Sequence, residues 1–337
     1  VCSMLTQVLI EADFDPTAVI GGKLPLTGSN GLVGHSEHMV CEACEFVDTF
    51  LKLSPDVAVV LNVDEDHLDY FKTFDNLKNS FTKFISMATK AVIYNGDDQN
   101  TIDTVMPALK DNSKTSVTFG INESNDYSAA NIRYDKEIAS FELVRYGENL
   151  GKIELSIPGK HNVYNALAVI AAAMHSGVSF EQCAKGISNF HGAGRRFEKL
   201  AEINGITIMD DYAHHPKELE VTLKTAMKMD FRKVWAIFQP FTYSRTHNLF
   251  NDFAEVLKIP DHCIMTEIMA GREVNTYDIY TSQLAEKIPG SIWFNTFEEV
   301  AKYAVDNAKA GDLIITLGCG DIYKAAKIII NKLRERQ

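Results

Sequence analysis

The sequence predicts an α/β protein, with a parallel-sheet domain that carries a small antiparallel sheet and a second, doubly wound domain. Short apolar runs alternate with segments of helical periodicity along most of the 337 residues. The repeated strand–helix order favours parallel sheets covered by helices. The glycines of HGAG then interrupt the alternation, so we place a hinge there and divide the chain into domains 1–193 and 194–337.

The first domain opens with VCSMLTQVLIEADF, which has the apolar spacing of an amphipathic helix. Because this pattern starts at the first residue and no Met precedes it, we expect the chain to be a fragment. Strands are predicted at TAVIGG, HMVCEA, VAVVLNV and KAVIYN, and helices at LKNSFTKFISMA, NTIDTVMPALK, HNVYNALAVIAAAMHSG and SFEQCAKGISNF. Residues 126–158 predict an antiparallel sheet with a turn at Gly-Glu-Asn-Leu-Gly.

The second domain repeats the strand–helix alternation with regular spacing. Strands are predicted near 206–210, 233–238, 263–267, 292–294 and 312–317, and helices near 216–229, 243–257, 281–288, 297–309 and 321–335. This order predicts a mostly parallel sheet with helices on its faces.

Composition excludes two classes of protein and indicates a compartment. The formal net charge of −12 argues against a nucleic-acid-binding protein, which usually carries a basic surface. No apolar run has the length of a membrane span, and no signal peptide is recognisable. Six scattered cysteines are typical of reduced thiols, so we expect a cytoplasmic protein.

Polar side chains follow several strands of the second domain. The strand near 206–210 runs into Asp210, Asp211, Tyr212, His214 and His215, and later strands run into QPFTYSRTH, IMAGRE and GCGD. Ligands of open parallel sheets bind beyond the carboxyl ends of the strands, so this edge is a candidate site. Taken alone, the first turn is equally well explained as a helix cap with surface histidines.

The first domain also places acidic groups after apolar strands. Glu42 follows one strand and His67 follows another, so the two side chains would be adjacent if those strands are parallel neighbours. A carboxylate beside an imidazole suits a divalent cation that also binds phosphate oxygens. The pattern alone favours the alternative, in which the neighbouring carboxylates cap a helix and His67 packs on it.

Two further pairs of residues have a functional and a structural interpretation. Arg195 and Arg196 follow Gly-Ala-Gly, where a phosphate could approach, although adjacent arginines usually form a solvated face. Asn162 and Asn165 begin a helix, where an amide either caps the helix or contacts a purine edge.

Six motifs in order resemble those of the Mur ligase family. They are NVDEDHLDYF, GKHNVYNALA, GAGRRFE, DDYAHHPKE, FQPFTYSRTHNLFNDF and GCGDIYK, and they extend over nearly the whole chain. Each is weak alone, but their order is specific. The resemblance implies a central ATPase domain and a C-terminal Rossmann-like domain. The family's phosphate loop and UDP-binding domain are expected before Val1, so this fragment should be inactive alone.

The resemblance also implies a reaction, which is closest to that of the alanine-adding members. These use ATP and Mg²⁺ to join L-alanine to the lactyl carboxylate of UDP-N-acetylmuramate through an acyl phosphate. Matching motif positions imply roles for nine residues. They are Glu42 and His67 on magnesium, Asn162 and Asn165 on adenine, Arg196 on the phosphates, Asp211 on ribose, Tyr212 and His214 at the reacting centre, and Arg245 on the amino-acid carboxylate.

Two departures from the family pattern bear on the acceptor. Phe241 and Thr242 stand where many alanine-adding members carry His followed by Arg or Thr. Phe81 occupies the position of a carbamylated lysine of several sister ligases, and alanine-adding members also lack that lysine. The acceptor position therefore leaves open a ligase that attaches a recycled peptide or another amino acid. The missing phosphate loop leaves open a non-catalytic nucleotide-binding protein.

Overall fold

The computed structural model describes residues 1–109, 114–135 and 137–336. The chain forms two compact units, Val1–Ala193 and Gly194–Gln337, here called the N-terminal and C-terminal units. Within the described part of the chain, every helix is too short or too polar to cross a membrane.

The described residues of the N-terminal unit form two sheets. The smaller has the strand order β2-β1-β3, and the larger has the order β4-β5-β6-β7-β8-β9. Their strands are β1 Thr17–Leu24, β2 Ser29–Leu32, β3 Met39–Cys41, β4 Val57–Val60, β5 Ala91–Asn95, β6 Thr115–Gly120, β7 Tyr127–Asp135, β8 Ile138–Arg145 and β9 Glu148–Pro158. Strands β4 to β7 are parallel, and β7 to β9 are antiparallel. The antiparallel strands therefore extend the parallel sheet.

Among the described residues, six α-helices and two 3-10 helices accompany these strands. They are α1 Cys2–Glu11, α2 Leu68–Phe71, α3 Phe74–Met87, α4 Gln99–Val105, α5 His161–His175 and α6 Phe180–Ser188, with 3-10 turns at Phe46–Lys52 and Met106–Leu109. The predicted helix at NTIDTVMPALK is thus divided in two, and its last residue, Lys110, lies outside the described residues.

Helix α5 is the centre of the N-terminal core. Its alanines and branched residues from Val163 to Ala173 are buried against α1, α6 and the larger sheet. Small side chains allow this helix to lie close to its neighbours, as the sequence predicted. Because α5 begins next to the carboxyl ends of β4 and β5, its first turn faces a pocket described below.

The hairpin between β8 and β9 turns at a different place from the one predicted. The strands are joined at Tyr146 and Gly147, whose φ angles are 48° and 82°. Two consecutive residues with positive φ are typical of a type I′ hairpin turn, which matches the twist of the flanking strands. Most of the segment Gly147–Gly151 therefore belongs to β9 rather than to the turn.

The C-terminal unit is a six-stranded sheet with helices on both faces. Its strand order is β10-β11-β15-β12-β13-β14, parallel except for the edge pair β10–β11. The strands are β10 Glu198–Ile203, β11 Ile206–Asp211, β12 Val234–Phe238, β13 His262–Thr266, β14 Ile292–Phe294 and β15 Leu313–Leu317. The helices are α7 Pro216–Lys228, α8 Tyr243–Asn248, α9 Phe250–Val256, α10 Thr281–Glu286, α11 Phe297–Asn307 and α12 Tyr323–Arg334.

Two apolar clusters cover the two faces of this sheet. In β15, Leu313, Ile315 and Leu317 belong to one cluster and Ile314 belongs to the other. A central strand buried on both faces reads as a continuous apolar run, so the sequence predicted these strands closely. Polar side chains follow the strands at their carboxyl ends, and there the site of this unit is formed.

Candidate functional site

In the N-terminal unit, three side chains form a group with the chemistry of a cation site. His67 Nε2 lies 3.7 Å from Glu45 Oε1 and 3.7 Å from Asp66 Oδ2. The ligand atoms of the three residues all lie within 4.8 Å of one another. Two carboxylates and one imidazole fit a divalent cation that keeps some of its water or phosphate ligands.

Glu42 is placed differently from the expectation. Strand β3, which precedes Glu42, pairs with β1, whereas β4 pairs with β5 in the other sheet. The two strands are therefore not parallel neighbours, so the condition for placing Glu42 beside His67 is not met. Glu42 Oε2 accepts a hydrogen bond of 2.8 Å from Gly21 N. The role of Glu42 on a metal stays a prediction.

Sequence reasoning missed Glu45. It lies three residues after Glu42, at the start of the 3-10 turn. The repeated carboxylate in Cys-Glu-Ala-Cys-Glu was the available signal, but it does not show which oxygen reaches His67. The 3-10 turn that follows Glu45 lies beside His67, since the centres of the Phe46 and His67 rings are 4.8 Å apart. This placement brings Glu45 to His67.

A pocket of about 240 Å³ lies beside the first turn of α5. It is lined by Leu61, Asn62, Asn95, Asp97, Phe119, His161, Tyr164 and Asn165. Tyr164 Oη donates to Asp97 Oδ2 at 3.1 Å, and burial, followed by the Asp97 charge, raises the pKa of Tyr164 to about 12. The phenol therefore stays protonated and holds one wall of the pocket.

The two predicted asparagines are in contact with each other, but only one lines this pocket. Asn165 Nδ2 donates to Asn162 Oδ1 at 2.9 Å, and Asn162 Nδ2 donates to Pro158 O at 2.7 Å. Asn162 is buried and its amide joins the start of α5 to the end of β9. The contacts thus make Asn162 a support for Asn165, whose side chain lines the pocket.

In the C-terminal unit, the two adjacent arginines have different environments. Arg195 is held by a buried network: its Nε donates to Asp210 Oδ2 at 2.8 Å, and its Nη1 donates to Gly320 O at 2.9 Å. Arg196 is exposed, and its guanidinium lies 5.4 Å from the centre of the Tyr212 ring. Arg196 is therefore the arginine available to a ligand.

Asp211 is buried and its carboxylate is used within the protein. It accepts hydrogen bonds of 2.7 Å from Phe197 N and from Ala213 N. Burial is the main cause that raises the pKa of Asp211, and these backbone donors oppose it. Asp211 thus fixes the turn that carries Tyr212. Its predicted contact with ribose stays a prediction.

The neighbouring histidines have different contacts. His214 Nδ1 lies 3.1 Å from Tyr212 O and 3.2 Å from Glu218 Oε2, both acceptors. Nδ1 therefore carries the proton in the neutral ring, which leaves Nε2 as an acceptor. Burial lowers the pKa of His214; the Glu218 carboxylate opposes this shift and the Arg245 charge adds to it. His215 is the N-cap of α7.

Arg245 lies in α8, the first helix after β12. Its guanidinium is 5.8 Å from the centre of the Phe241 ring, so the position that departs from the family pattern is an apolar wall against this cation. The backbone enters α8 through Thr242, whose φ is 64° and whose side chain accepts from Arg245 N.

The two units match two parts of one family. The sequence matches the profile of the Mur ligase middle domain over residues 1–173 and that of the Mur ligase, glutamate ligase domain, over residues 195–320.

Curated relatives match both units together. The UDP-N-acetylmuramate–L-alanine ligase of Caldanaerobacter subterraneus subsp. tengcongensis is 43% identical over 332 residues, which are 96% of this chain and 71% of that protein. The enzyme of the same name from Acetivibrio thermocellus is 41% identical over 336 residues, 97% of this chain and 71% of that protein.

Solved structures show the same fold. The UDP-N-acetylmuramate–alanine ligase of Thermotoga maritima has a TM-score of 0.83 at 23% identity, over 100% of this chain and 73% of that one. A murein peptide ligase from Psychrobacter arcticus has a TM-score of 0.71 at 25% identity, over 98% of this chain and 74% of that one. A MurF ligase of Thermotoga maritima in complex with ADP has a TM-score of 0.73 at 18% identity, over 99% of this chain and 77% of that one. The predicted α/β fold class is confirmed.

Proposed function

Because the chain belongs to the Mur ligase family, as its six motifs predicted, we propose that it contributes the ATP-binding and acceptor-binding parts of an enzyme that joins L-alanine to UDP-N-acetylmuramate. The observation that carries this proposal is the similarity to L-alanine ligases over both units together, at 43% identity.

The proposed reaction has two steps. A carboxylate oxygen of UDP-N-acetylmuramate attacks the γ-phosphorus of ATP, the bond to ADP breaks, and an acyl phosphate forms. The amine of L-alanine then attacks the acyl carbon, the bond to phosphate breaks, and the amine loses a proton. Such a reaction needs positioning and neutralisation of charge more than covalent help from the protein.

The N-terminal unit would hold ATP and Mg²⁺. Asn165 lines the pocket proposed for adenine, and Asn162 keeps it in place. His67 with Glu45 and Asp66 forms a donor set that fits Mg²⁺, and Glu42 is proposed as a further ligand from the family pattern. When bound, the metal would neutralise charge on the phosphates.

The C-terminal unit would supply the groups that act on phosphate and acceptor. The exposed guanidinium of Arg196 suits the phosphates, and Asp211 is proposed near the ribose. Arg245 is proposed to bind the carboxylate of the amino acid. The neutral His214 has Nε2 in place to take up a proton, and Tyr212 packs against it at 5.5 Å.

A second candidate is a ligase that attaches a recycled peptide to the same sugar nucleotide. The similarity to a murein peptide ligase at 25% identity supports this second candidate. The apolar Phe241 beside Arg245 also distinguishes this acceptor site from the His-containing pattern of many alanine-adding members.

Phosphate release distinguishes these functions. Protein from the complete reading frame is incubated with ATP, MgCl₂ and UDP-N-acetylmuramate, and L-alanine is compared with glycine, L-serine and the recycled tripeptide. We expect release with L-alanine to exceed that with each other acceptor. Preference for the tripeptide supports the second candidate, and no acceptor-dependent release supports a non-catalytic nucleotide-binding protein.

A further inference from the structure

At the carboxyl edge of the sheet in the C-terminal unit, a buried hydrogen-bond donor and a buried hydrogen-bond acceptor have no partner among the described residues. They are Gln239 Oε1, an acceptor, and Arg245 Nη1, a donor. Both residues lie in the short segment that leaves β12 and enters α8. Buried polar groups are normally paired, so an unpaired donor and acceptor in one segment indicate a missing ligand.

The orientation of the Gln239 amide follows from its neighbours. Gln239 Nε2 donates to Asp321 Oδ1 at 3.2 Å. A carboxylate accepts hydrogen bonds and cannot donate them, so the amide nitrogen must face Asp321 and the oxygen must face away. The residue is 6% exposed and its backbone N donates to Leu317 O at 3.0 Å, so the side chain has a fixed base.

Gln239 Oε1 packs closely against Gly320. A Cβ atom at Gly320 would lie 2.5 Å from Gln239 Oε1 and would also collide with Met269 Sδ. Arg245 lies near the same turn, since its charge opposes the effect of burial, which raises the pKa of the Cys319 thiol to about 11. The turn that contains Cys319 and Gly320 therefore lies near both Arg245 and Gln239.

We propose that Gln239 recognises the amine of the incoming α-amino acid, while Arg245 binds its carboxylate. An α-amino acid presents a carboxylate, which needs a donor, and an amine, which needs an acceptor, on one carbon. The two unpartnered atoms supply this pair. A glutamine oxygen accepts from an ammonium and from a neutral amine alike, so it orients the nucleophile without taking its proton.

This inference rests on the proposed function, because it assigns a substrate contact within the proposed acceptor site. It makes Gln239 a specificity residue for compounds with an α-amine. Phe241 lies beside Arg245, Met269 lies beside Gly320, and a bridge joins the backbones of Phe241 and Met269. This edge of the sheet thus combines a hydrogen-bond donor, a hydrogen-bond acceptor and apolar side chains.

The test uses Gln239→Met in the protein from the complete reading frame, with two probes. L-alanine is varied as the substrate, and propionate, which keeps the carboxylate and carbon chain but lacks the amine, is used as a competitive inhibitor. We expect the KM for L-alanine to rise about tenfold or more, as for loss of a hydrogen bond to a charged group. The KM for ATP and the inhibition constant of propionate should change less than about twofold, because the proposed contact of Gln239 is with the amine, which propionate lacks, and not with ATP.

Two control variants separate recognition from structure. Asp321→Ala removes the partner that orients the Gln239 amide but keeps Oε1 available to the amine, so it should raise the KM for L-alanine less than Gln239→Met does. Arg245→Met should weaken L-alanine and propionate together, since both carry the carboxylate. Thermal melting of each variant shows whether it is folded.

The outcomes are distinct. An unchanged KM for L-alanine in folded Gln239→Met, or an equal weakening of L-alanine and propionate, overturns the inference while the ligase function stands. Absence of L-alanine-dependent phosphate release by the unmodified protein overturns the proposed function, and the inference with it.

Discussion

At the scale of single residues, the adjacent arginines Arg195 and Arg196 have different environments and therefore different roles. Arg195 is fixed by Asp210 and two glycine carbonyls, whereas Arg196 is exposed. The sequence predicted that one of the pair could bind phosphate but also allowed a solvated face for both. Contacts with the distant Gly318–Gly320 turn decide between them, and these contacts cannot be seen in the local sequence.

Replacement of Arg196 by alanine should therefore affect activity more than stability. We expect kcat to fall by about a hundredfold or more, as for loss of a charge-stabilising donor. The melting temperature should stay nearly constant, because the side chain is exposed. Arg133→Ala, which removes another exposed arginine, is the matched control and should retain full activity. Normal turnover by folded Arg196→Ala would refute the assignment.

His214 should make the reaction depend on pH on the acid side. Burial lowers the pKa of His214 below the ordinary value of 6.5; the Glu218 carboxylate opposes this shift and the Arg245 charge adds to it. The ring is therefore neutral at pH 7 and gains a proton only in more acidic solution. We expect kcat/KM to be level near neutrality and to fall below pH 6.5.

The control for this pH profile is a second histidine of the same unit. His214→Gln should lower kcat by about a hundredfold and abolish the acid limb. His247→Gln, at an exposed histidine of α8, should leave the profile unchanged. Retention of the acid limb in His214→Gln would assign it to another group.

At the scale of elements, Arg195 joins strands that are distant in sequence. Asp210 at the end of β11 binds Arg195 Nε and also accepts from Thr316 Oγ1 of β15 at 2.5 Å. Burial raises the pKa of Asp210, and the bond to Thr316 and the Arg195 cation oppose that rise. The network therefore fixes the carboxyl edge on which Tyr212 is carried.

Loss of this network should be costly to the fold. Arg195→Met leaves the buried Asp210 without its cation, and we expect the free energy of unfolding to fall by about 2–4 kcal/mol. Lys199→Met breaks an exposed ion pair with Glu202 in β10 and should cost less than about 0.5 kcal/mol. Urea denaturation of the two variants measures the difference, and equal losses would contradict the argument.

The sequence predicted elements well where one pattern dominates. β12 and β15 are apolar runs buried on both faces, and their observed bounds are within one residue of the prediction. β10 was missed because Glu198–Ile203 mixes charged and apolar residues at the edge of the sheet. Strand order could not be predicted either, because it depends on contacts between distant segments. For that reason, the sequence left open whether β3 and β4 are neighbours, and the structure places them in different sheets.

The candidate site was predicted in part for the same physical reason. Polar residues after buried strands identified the turn with Tyr212 and His214. Glu45 and Gln239 were missed, since one is placed by an irregular turn and the other by a hydrogen bond to Asp321. Residues whose role depends on a distant partner are not visible in a local pattern.

At the scale of the whole molecule, each unit has its own core and its own group of candidate residues. The N-terminal unit combines a pocket beside α5 with the donor set around His67. The C-terminal unit places a cation, a neutral imidazole and an unpaired amide oxygen at one sheet edge. An ATP-dependent ligase needs both kinds of site, and this division supports the proposed function.

The central claim is that ATP activates the carboxylate of the sugar nucleotide for attack by L-alanine. The most direct measurement uses UDP-N-acetylmuramate labelled with ¹⁸O in its carboxylate, with the protein from the complete reading frame. Mass spectrometry of the products then follows both the amide and the released phosphate. We predict the L-alanine amide, together with phosphate that carries one ¹⁸O atom per amide formed. Unlabelled phosphate, or release without an amide, would contradict the account.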